Sequence, residues 1–173
     1  MLRSVPVAII MASAALEASA HEHLQDILDR PAHFRVDESH RKLLVDLTDD
    51  RTGSALTKFR RLALLMSKDP DTGTAAWEDA GLLIDFRNAF MHFRPAWSDE
   101  EIHKSKFVRQ LEQKVPTLKA YKADGNLYFP YGFMTYGCAK WAVSTPFKFS
   151  SEFSKTLGVG DKLAVEWAKA KLP

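Results

Sequence analysis

The stretch F-R-N-A-F-M-H-F-R-P, residues 86–95, places three hydrogen-bonding side chains at the end of an otherwise apolar helix. Asn88 and His92 are four residues apart, so they share one face of a helix. Arg87 lies about 100° around the helix axis from Asn88. Pro95 ends the helix, because proline has no backbone N–H and clashes with the preceding turn. Arg87, Asn88 and His92 therefore line one side of a helix end and form the candidate site of this chain.

Apolar residues recur at helical spacing on both sides of this stretch, and Pro, Gly or Asp residues separate the segments. This pattern predicts an all-α fold, an up-and-down bundle of four or five helices. The predicted helical segments cover Val7–Asp29, Glu38–Asp49, Ser54–Ser67, Thr74–Phe93, Asp99–Lys114 and Phe133–Leu157. Thr74 should cap the fourth segment. The fifth should lie on the surface.

The end of the predicted bundle carries two further signals. Pro146 should kink the last helix or split it near Thr145, and Gly158 should cap its C-terminus. Residues 115–131 are predicted to form a loop, and 161–171 a short peripheral helix.

Composition is that of one globular domain. The chain has 173 residues, of which 46% are apolar and 27% charged, so we expect a single helical domain over residues 1–173. Its core is expected over about 5–157, with a C-terminal extension over 158–173. A net charge of +2 permits an RNA partner without requiring one. The single cysteine, Cys138, cannot form an intramolecular disulfide, which indicates a reducing, cytoplasmic setting.

The N-terminus imitates a secretory signal, since an apolar run, Val5–Leu16, precedes the small residues 18–20. Against that interpretation, an apolar stripe at helical spacing continues past the supposed cleavage point. It comprises Ile10, Ala14, Glu17, His21, Leu24 and Leu28. We therefore expect the first helix of the domain, with a signal peptide as the alternative. The sequence contains no run of about 20 apolar residues, which is the length that a membrane-spanning helix needs.

Glu17 lies on this predicted apolar stripe, where a carboxylate is costly unless it is paired. We therefore expect a buried, paired Glu17. The alternative is a helix rotated slightly, which would leave Glu17 in solvent.

The spacing of Arg87, Asn88 and His92 resembles the motif of HEPN domains, which are all-helical bundles that in many cases act as metal-independent ribonucleases. Residues 8–18, A-I-I-M-A-S-A-A-L-E-A, are similar to the opening helix of one group of small HEPN-like proteins. Residues 138–142, C-A-K-W-A, are similar to the start of that group's closing helix. The resemblance covers about residues 5–157, and Pro146 departs from it.

The resemblance implies a homodimer joined near the fourth helix, where two copies of the motif meet. It also implies that Glu17 faces Arg87 or His92 and holds it in place. No metal or cofactor is implied. The chain carries no nucleotidyltransferase-type motif, so an antitoxin-like partner of that kind would be a separate protein.

The candidate residues suit RNA cleavage without metal. Histidine can accept the proton of a ribose 2′-hydroxyl near neutral pH, after which that oxygen attacks the adjacent phosphorus. Arginine offers a planar, permanent charge to the phosphate as negative charge builds on it. His92 is therefore the predicted base or acid and Arg87 the phosphate clamp. Asn88 is predicted to orient His92 or the ribose, and Glu17, as the resemblance implies, to hold Arg87 or His92 in place. The predicted function is an endoribonuclease acting in stress or phage defence.

Several alternatives remain open from the sequence. Arg87 can pair with Asp85 or Glu17, and His92 can cap the carbonyls of the helix end, so the site can be purely structural. A cluster of basic residues can form an RNA-contacting rim or simply a solvated face. The cluster comprises Lys58, Arg60, Arg61 and Arg94. The rival function is a non-catalytic HEPN-like module that binds RNA, a nucleotide or a protein partner.

Overall fold

The computed structural model describes residues 4–34, 36–49, 53–93, 106–123 and 128–161. Every regular element within these ranges is helical, which confirms the all-α prediction. The helices are α1 (Ser4–Asp29), α2 (Pro31–Phe34), α3 (Glu38–Asp49), α4 (Ala55–Leu65), α5 (Ala75–Met91), α6 (Lys106–Lys114), α7 (Lys119–Ala123), α8 (Tyr128–Tyr131) and α9 (Tyr136–Leu157). The first residues of the predicted surface helix, 99–105, lie outside the described ranges, as does the predicted peripheral helix from residue 162 onward.

Helix ends follow the local sequence signals. Helix α3 has the bounds that the sequence predicted, and α1 ends at the predicted Asp29. Helix α9 ends at Leu157, after which Gly158 adopts a φ of 73°, a conformation that glycine accepts without a side-chain clash. The Val159 N–H donates to the Ser154 carbonyl over 2.9 Å. This bond closes the turn in the manner of a Schellman motif and confirms the predicted cap.

Helix α9 continues through Pro146, so the predicted split near Thr145 is wrong. The turn before the proline is held by side chains. The hydroxyls of Ser144 and Thr145 both donate to the Trp141 carbonyl, over 3.0 and 2.9 Å. Hydroxyl groups that bond back to a carbonyl of the preceding turn often accompany a bend near a proline.

The chain forms two compact units. The first unit comprises Met1–Ser13 and Asp79–Pro146, and the second comprises Ala14–Glu78 and Phe147–Pro173. Helices α1, α5 and α9 contribute residues to both units. The single domain expected over residues 1–173 stays a prediction.

The first unit is built on phenylalanine rings from α5, α6 and the segment before α9. The Phe86 ring centre lies 6.0 Å from that of Phe107, 5.9 Å from that of Phe129 and 6.0 Å from that of Phe133. Tilted and edge-to-face contacts of this kind add to the stabilisation from burial. An ion pair of 2.7 Å between Lys114 Nζ and Asp79 Oδ1 ties α6 to α5.

The start of α9 packs closely on Pro116, two residues after the end of α6. A Cβ added to Gly137 would lie 2.3 Å from Pro116 Cγ, so only glycine fits this contact. The Thr135 hydroxyl donates to the Pro116 carbonyl over 2.9 Å and accepts from the Cys138 N–H over 3.0 Å. Thr135 is thus the N-cap of α9 and its link to Pro116.

The second unit has its own aromatic core. The Phe59 ring centre of α4 lies 4.7 Å from that of Phe149 and 4.6 Å from that of Phe153. Trp77 packs on Phe149 at 4.9 Å. The Thr74 hydroxyl, which the sequence assigned to capping α5, donates to a carboxylate oxygen of Glu152.

The buried face of α1 differs from the predicted stripe by one residue. Six buried positions each lie one residue before a predicted one, and Leu24 is buried as predicted. The six are Ile9, Ser13, Leu16, Ala20, His23 and Ile27, and Val5, Ala12 and Ser19 are buried as well. Glu17 is exposed and Leu16 takes its expected place in the core, so the prediction of a buried Glu17 is wrong. Alanine and serine occur all around this helix, and they leave its rotation poorly defined by sequence.

Helix α1 also has a composition with more than one meaning. Of the described helices, α1 has the length and the apolar composition of a helix that could cross a membrane. A core helix or a signal sequence meets the same criterion. Its buried Ile9, Leu16 and Leu24 belong to the core.

Candidate functional site

The rotation of α5 is set by Phe86, which is completely buried within the phenylalanine cluster of the first unit. Arg87 and Asn88 follow directly and are half-buried. His92, just past the end of the helix, is exposed. Burying Phe86 therefore turns the three candidate residues toward the rim of the unit.

Arg87 and Asn88 form a hydrogen-bonded pair. The Arg87 Nη1 donates to the Asn88 Oδ1 over 2.9 Å. Asn88 was expected to orient His92 or a ribose, whereas it holds the guanidinium instead. An asparagine amide has two N–H donors besides its oxygen, so this bond leaves both donors of Asn88 pointing away from Arg87.

His92 continues the same face. Its backbone N–H donates to the Asn88 carbonyl over 3.0 Å, which places the imidazole one turn beyond the Asn88 side chain. Within the described residues, the His92 ring makes no hydrogen bond. The site thus combines a guanidinium held in place with an accessible imidazole.

Asp85, which the sequence offered only as a possible partner of Arg87, belongs to this face. It lies three residues before Asn88 and seven before His92, so the three residues follow one face of the helix. Asp85 is an exposed residue, but neighbouring atoms partly desolvate its carboxyl. This desolvation raises the pKa of the carboxyl. Among the described residues it forms no ion pair with Arg87, so the structural pairing of Asp85 with Arg87 is not observed. The three- and seven-residue spacing was the signal that could have identified it.

Apolar residues surround these polar groups on the open side of α5. Met91 is 55% exposed, and Gly81 and Ile84 are half-exposed. One exposed methionine beside a partly covered isoleucine is ordinary for a helix surface. We name the set Gly81, Ile84, Asp85, Asn88, Met91 and His92 the α5 face.

The predicted basic rim is only partly supported. Lys58 is 7% exposed, and its Nζ lies 3.2 Å from the Nε2 of His21, so its prediction as a surface RNA contact is wrong. Its aliphatic stem packs inside the second unit while the amine meets a polar partner. Arg60 and Arg61 are exposed on α4. Arg94 lies outside the described residues.

Glu17 belongs to the second unit and is exposed, whereas Arg87, Asn88 and His92 belong to the first. Its exposure removes the physical reason for giving it a partner, because a solvated carboxylate needs none. Over the described ranges, no group of three or more His, Cys, Asp or Glu side chains is placed to hold a metal ion.

The second unit contains a cavity that the sequence did not indicate. Its volume is about 870 Å³, and it lies between the end of α1, α2 and the turn after α9. Its polar lining is mainly acidic, since Glu22, Asp26 and Asp161 outnumber Arg30, which pairs with Asp26 over 3.1 Å. Carboxylates repel phosphate, so the cavity does not favour the nucleotide-binding alternative.

A comparison of the chain with protein-family models, curated proteins and solved structures finds no match in any of the three. The resemblance to HEPN domains therefore rests on the motif residues themselves.

Proposed function

We propose that this chain is a metal-independent endoribonuclease with a HEPN-like, up-and-down helical bundle. The observation that carries the proposal is the Arg87–Asn88 hydrogen bond beside the exposed imidazole of His92. A guanidinium fixed in advance can stabilise negative charge on a phosphate without reorganising during the reaction. An accessible imidazole one turn beyond Asn88 can transfer the proton.

The reaction follows from these roles. His92 accepts the proton of a ribose 2′-hydroxyl, and the oxygen attacks the neighbouring phosphorus. The bond from phosphorus to the 5′-oxygen breaks, and that oxygen takes a proton from an acid. The products are a 2′,3′-cyclic phosphate and a 5′-hydroxyl. Arg87 clamps the phosphate, Asn88 positions Arg87, and a second copy of the chain brings a second imidazole.

The same proposal covers the biological setting. A nuclease that cuts cellular RNA must be restrained, which fits a cytoplasmic toxin or phage-defence effector held by an antitoxin-like protein. Glu17 has no role in this version of the site, because it is exposed in the second unit.

The test is cleavage of a mixed cellular RNA pool in EDTA by the wild type and by His92→Ala. His33→Ala is the matched control, since His33 is also an exposed histidine but lies in the second unit. Wild type and His33→Ala should cut and leave 2′,3′-cyclic phosphate ends, and His92→Ala should not. Equal cutting by all three, or none by folded wild type, would overturn the proposal.

A non-catalytic RNA-binding module is the second candidate, and the exposed Arg60 and Arg61 on α4 favour it. If these residues contact phosphates, Arg60→Ala with Arg61→Ala should weaken RNA binding and flatten its dependence on salt. Lys58→Met should leave that dependence unchanged, because Lys58 is buried. Binding with this pattern but without cleavage would favour the module over the enzyme.

A further inference from the structure

Two tyrosine rings of the first unit stack on each other at its surface. The ring centres of Tyr121, in α7, and Tyr131, the last residue of α8, are 6.0 Å apart, with an angle of 30° between the ring planes. Tyr121 is half-buried, whereas Tyr131 is 48% exposed. Tyr121 therefore supports the ring of Tyr131 and leaves part of that ring open to solvent.

A third tyrosine lies close by in the chain. The Met134 N–H donates to the Tyr131 carbonyl over 3.1 Å, which folds the chain into a turn. Tyr136 follows this turn as the first residue of α9 and is 65% exposed. The Leu118 N–H donates to the Gly132 carbonyl over 2.8 Å and so joins the residue before α7 to the same turn. We name Tyr121, Tyr131 and Tyr136 the tyrosine surface.

Positive charge accompanies these rings. Lys140 is exposed on α9 four residues after Tyr136, so the two side chains share one face of the helix. Lys119, the first residue of α7, is exposed as well. Within the described part of the chain, neither lysine forms an ion pair.

Rings and lysines in this combination favour one kind of partner. Proteins hold single-stranded nucleic acid by stacking its bases on exposed aromatic side chains while basic groups attract its phosphates. Lysine is depleted at interfaces between proteins, so the two lysines favour a nucleic acid over a protein.

The tyrosine surface is anchored to the end of α5 that carries the candidate site. Phe129 lies two residues before Tyr131, and its ring centre is 6.0 Å from that of Phe93. Phe93 directly follows His92 in the chain, and all four residues belong to the first unit. A strand that is bound at Tyr131 can therefore extend to His92.

We propose that the tyrosine surface binds unpaired bases of RNA, with Lys119 and Lys140 attracting the phosphates. The inference rests on the proposed function, because RNA is the ligand of both, and it adds a place where the strand is held away from the bond that is cut. Every base has a π-face, so stacking accepts any sequence. The bases of a duplex are already stacked on each other and cannot reach Tyr131.

The test is equilibrium binding of a short, fluorescein-labelled, adenosine-rich 2′-O-methyl RNA, which has no 2′-hydroxyl and so cannot be cut. Tyr131→Ala with Tyr136→Ala should weaken binding of the single strand about tenfold. Tyr131→Phe with Tyr136→Phe should bind like the wild type, because phenylalanine keeps the ring. Leu64→Ala is the matched control, since Leu64 is 52% exposed but lies in the second unit.

The role of charge has its own measurement. Lys119→Ala with Lys140→Ala should flatten the dependence of binding on salt concentration, because fewer phosphates are neutralised. Lys148→Ala with Lys155→Ala should leave that dependence unchanged, since these exposed lysines lie on the part of α9 that belongs to the second unit.

The outcomes separate this inference from the catalytic proposal. Equal binding by the wild type and the double alanine variant of the tyrosines would overturn the inference. An equal loss on Leu64→Ala, or a loss of the same size when the RNA is paired with its complement, would do the same. Cleavage of ordinary RNA without tyrosine-dependent binding would overturn this inference alone. Tyrosine-dependent binding without cleavage would support it and overturn the catalytic proposal alone.

Discussion

The amine of Lys58 lies 3.2 Å from the Nε2 of His21, inside a unit where Lys58 is only 7% exposed. An amine in this position is desolvated and depends on its partner, while His21 reaches the surface. The pair explains why a lysine beside two exposed arginines does not belong to the predicted basic rim.

This pair predicts unequal effects of two substitutions on stability. His21→Ala should lower the free energy of unfolding by about 1–3 kcal/mol, because it leaves a buried donor without its acceptor. Lys58→Met should cost less, since it replaces both the charge and its need for a partner with an apolar chain of similar length. Urea denaturation of both variants measures the difference, and a larger loss for Lys58→Met would contradict the assignment.

Gly137 predicts a large effect from one added methyl group. Gly137→Ala should lower the free energy of unfolding by about 1–3 kcal/mol, because its Cβ would lie 2.3 Å from Pro116 Cγ. Gly160→Ala is the control, since a Cβ there meets nothing within 4 Å. Chemical denaturation should give a near-zero change for the control, and equal changes would show that the contact yields easily.

We expect the thiol of Cys138 to stay unreactive until the protein unfolds. Burial raises the pKa of this thiol from 9.0 to about 12. The reactive thiolate is therefore nearly absent at pH 8. Modification by a disulfide reagent should be slow in the native protein and fast in urea. Rapid native modification would show an open α9.

The same pKa shift links Cys138 to stability in alkali. A thiol whose pKa is raised on folding favours the native state below its ordinary pKa of 9.0, and this contribution is lost as pH rises toward about 12. Cys138→Ala should lose stability less steeply than the wild type over that interval. Unfolding midpoints from pH 8 to 11 measure the difference between the two slopes.

The contribution of Asp85 to stability should change with pH in the opposite direction to that of an ordinary acidic residue. Because burial raises the pKa of its carboxyl, ionised Asp85 is disfavoured in the folded single chain, and its contribution is lost as pH rises through that pKa. Asp85→Asn should therefore raise the unfolding midpoint of dilute protein at pH 7, with less effect at pH 3. A lower midpoint at pH 7 would mean that the carboxylate already has a partner.

The sequence predicts elements with clear stops better than elements with uniform composition. Helix α3 starts and ends as predicted, and Gly158 ends α9 because few other residues accept its conformation. Helix α1 was placed correctly but turned by one residue, since small side chains on all sides make neighbouring stripes equally apolar. The short helix α7 falls where a loop was predicted, whereas the Tyr128–Tyr131 segment contains Phe129 in an extended conformation and is only partly helical. Tertiary contacts sustain such short helices, and local sequence does not reveal them.

For the candidate site too, the sequence predicted some features and not others. Helical spacing alone grouped Arg87, Asn88 and His92 on one helix end, because the geometry of a helix is fixed. It did not predict the Arg87–Asn88 bond, which depends on rotamers, or the burial of Lys58, which depends on the fold around it.

The position of Phe86 directly before Arg87 has a wider consequence. Phe86 is locked in the interior and Arg87 is its neighbour in the chain, so a change in interior packing that rotates α5 also turns the Arg87 side chain. Repacking around Phe86, for example by Phe133→Leu, should therefore change the orientation of Arg87. This change would precede loss of the helical circular dichroism signal as the interior loosens.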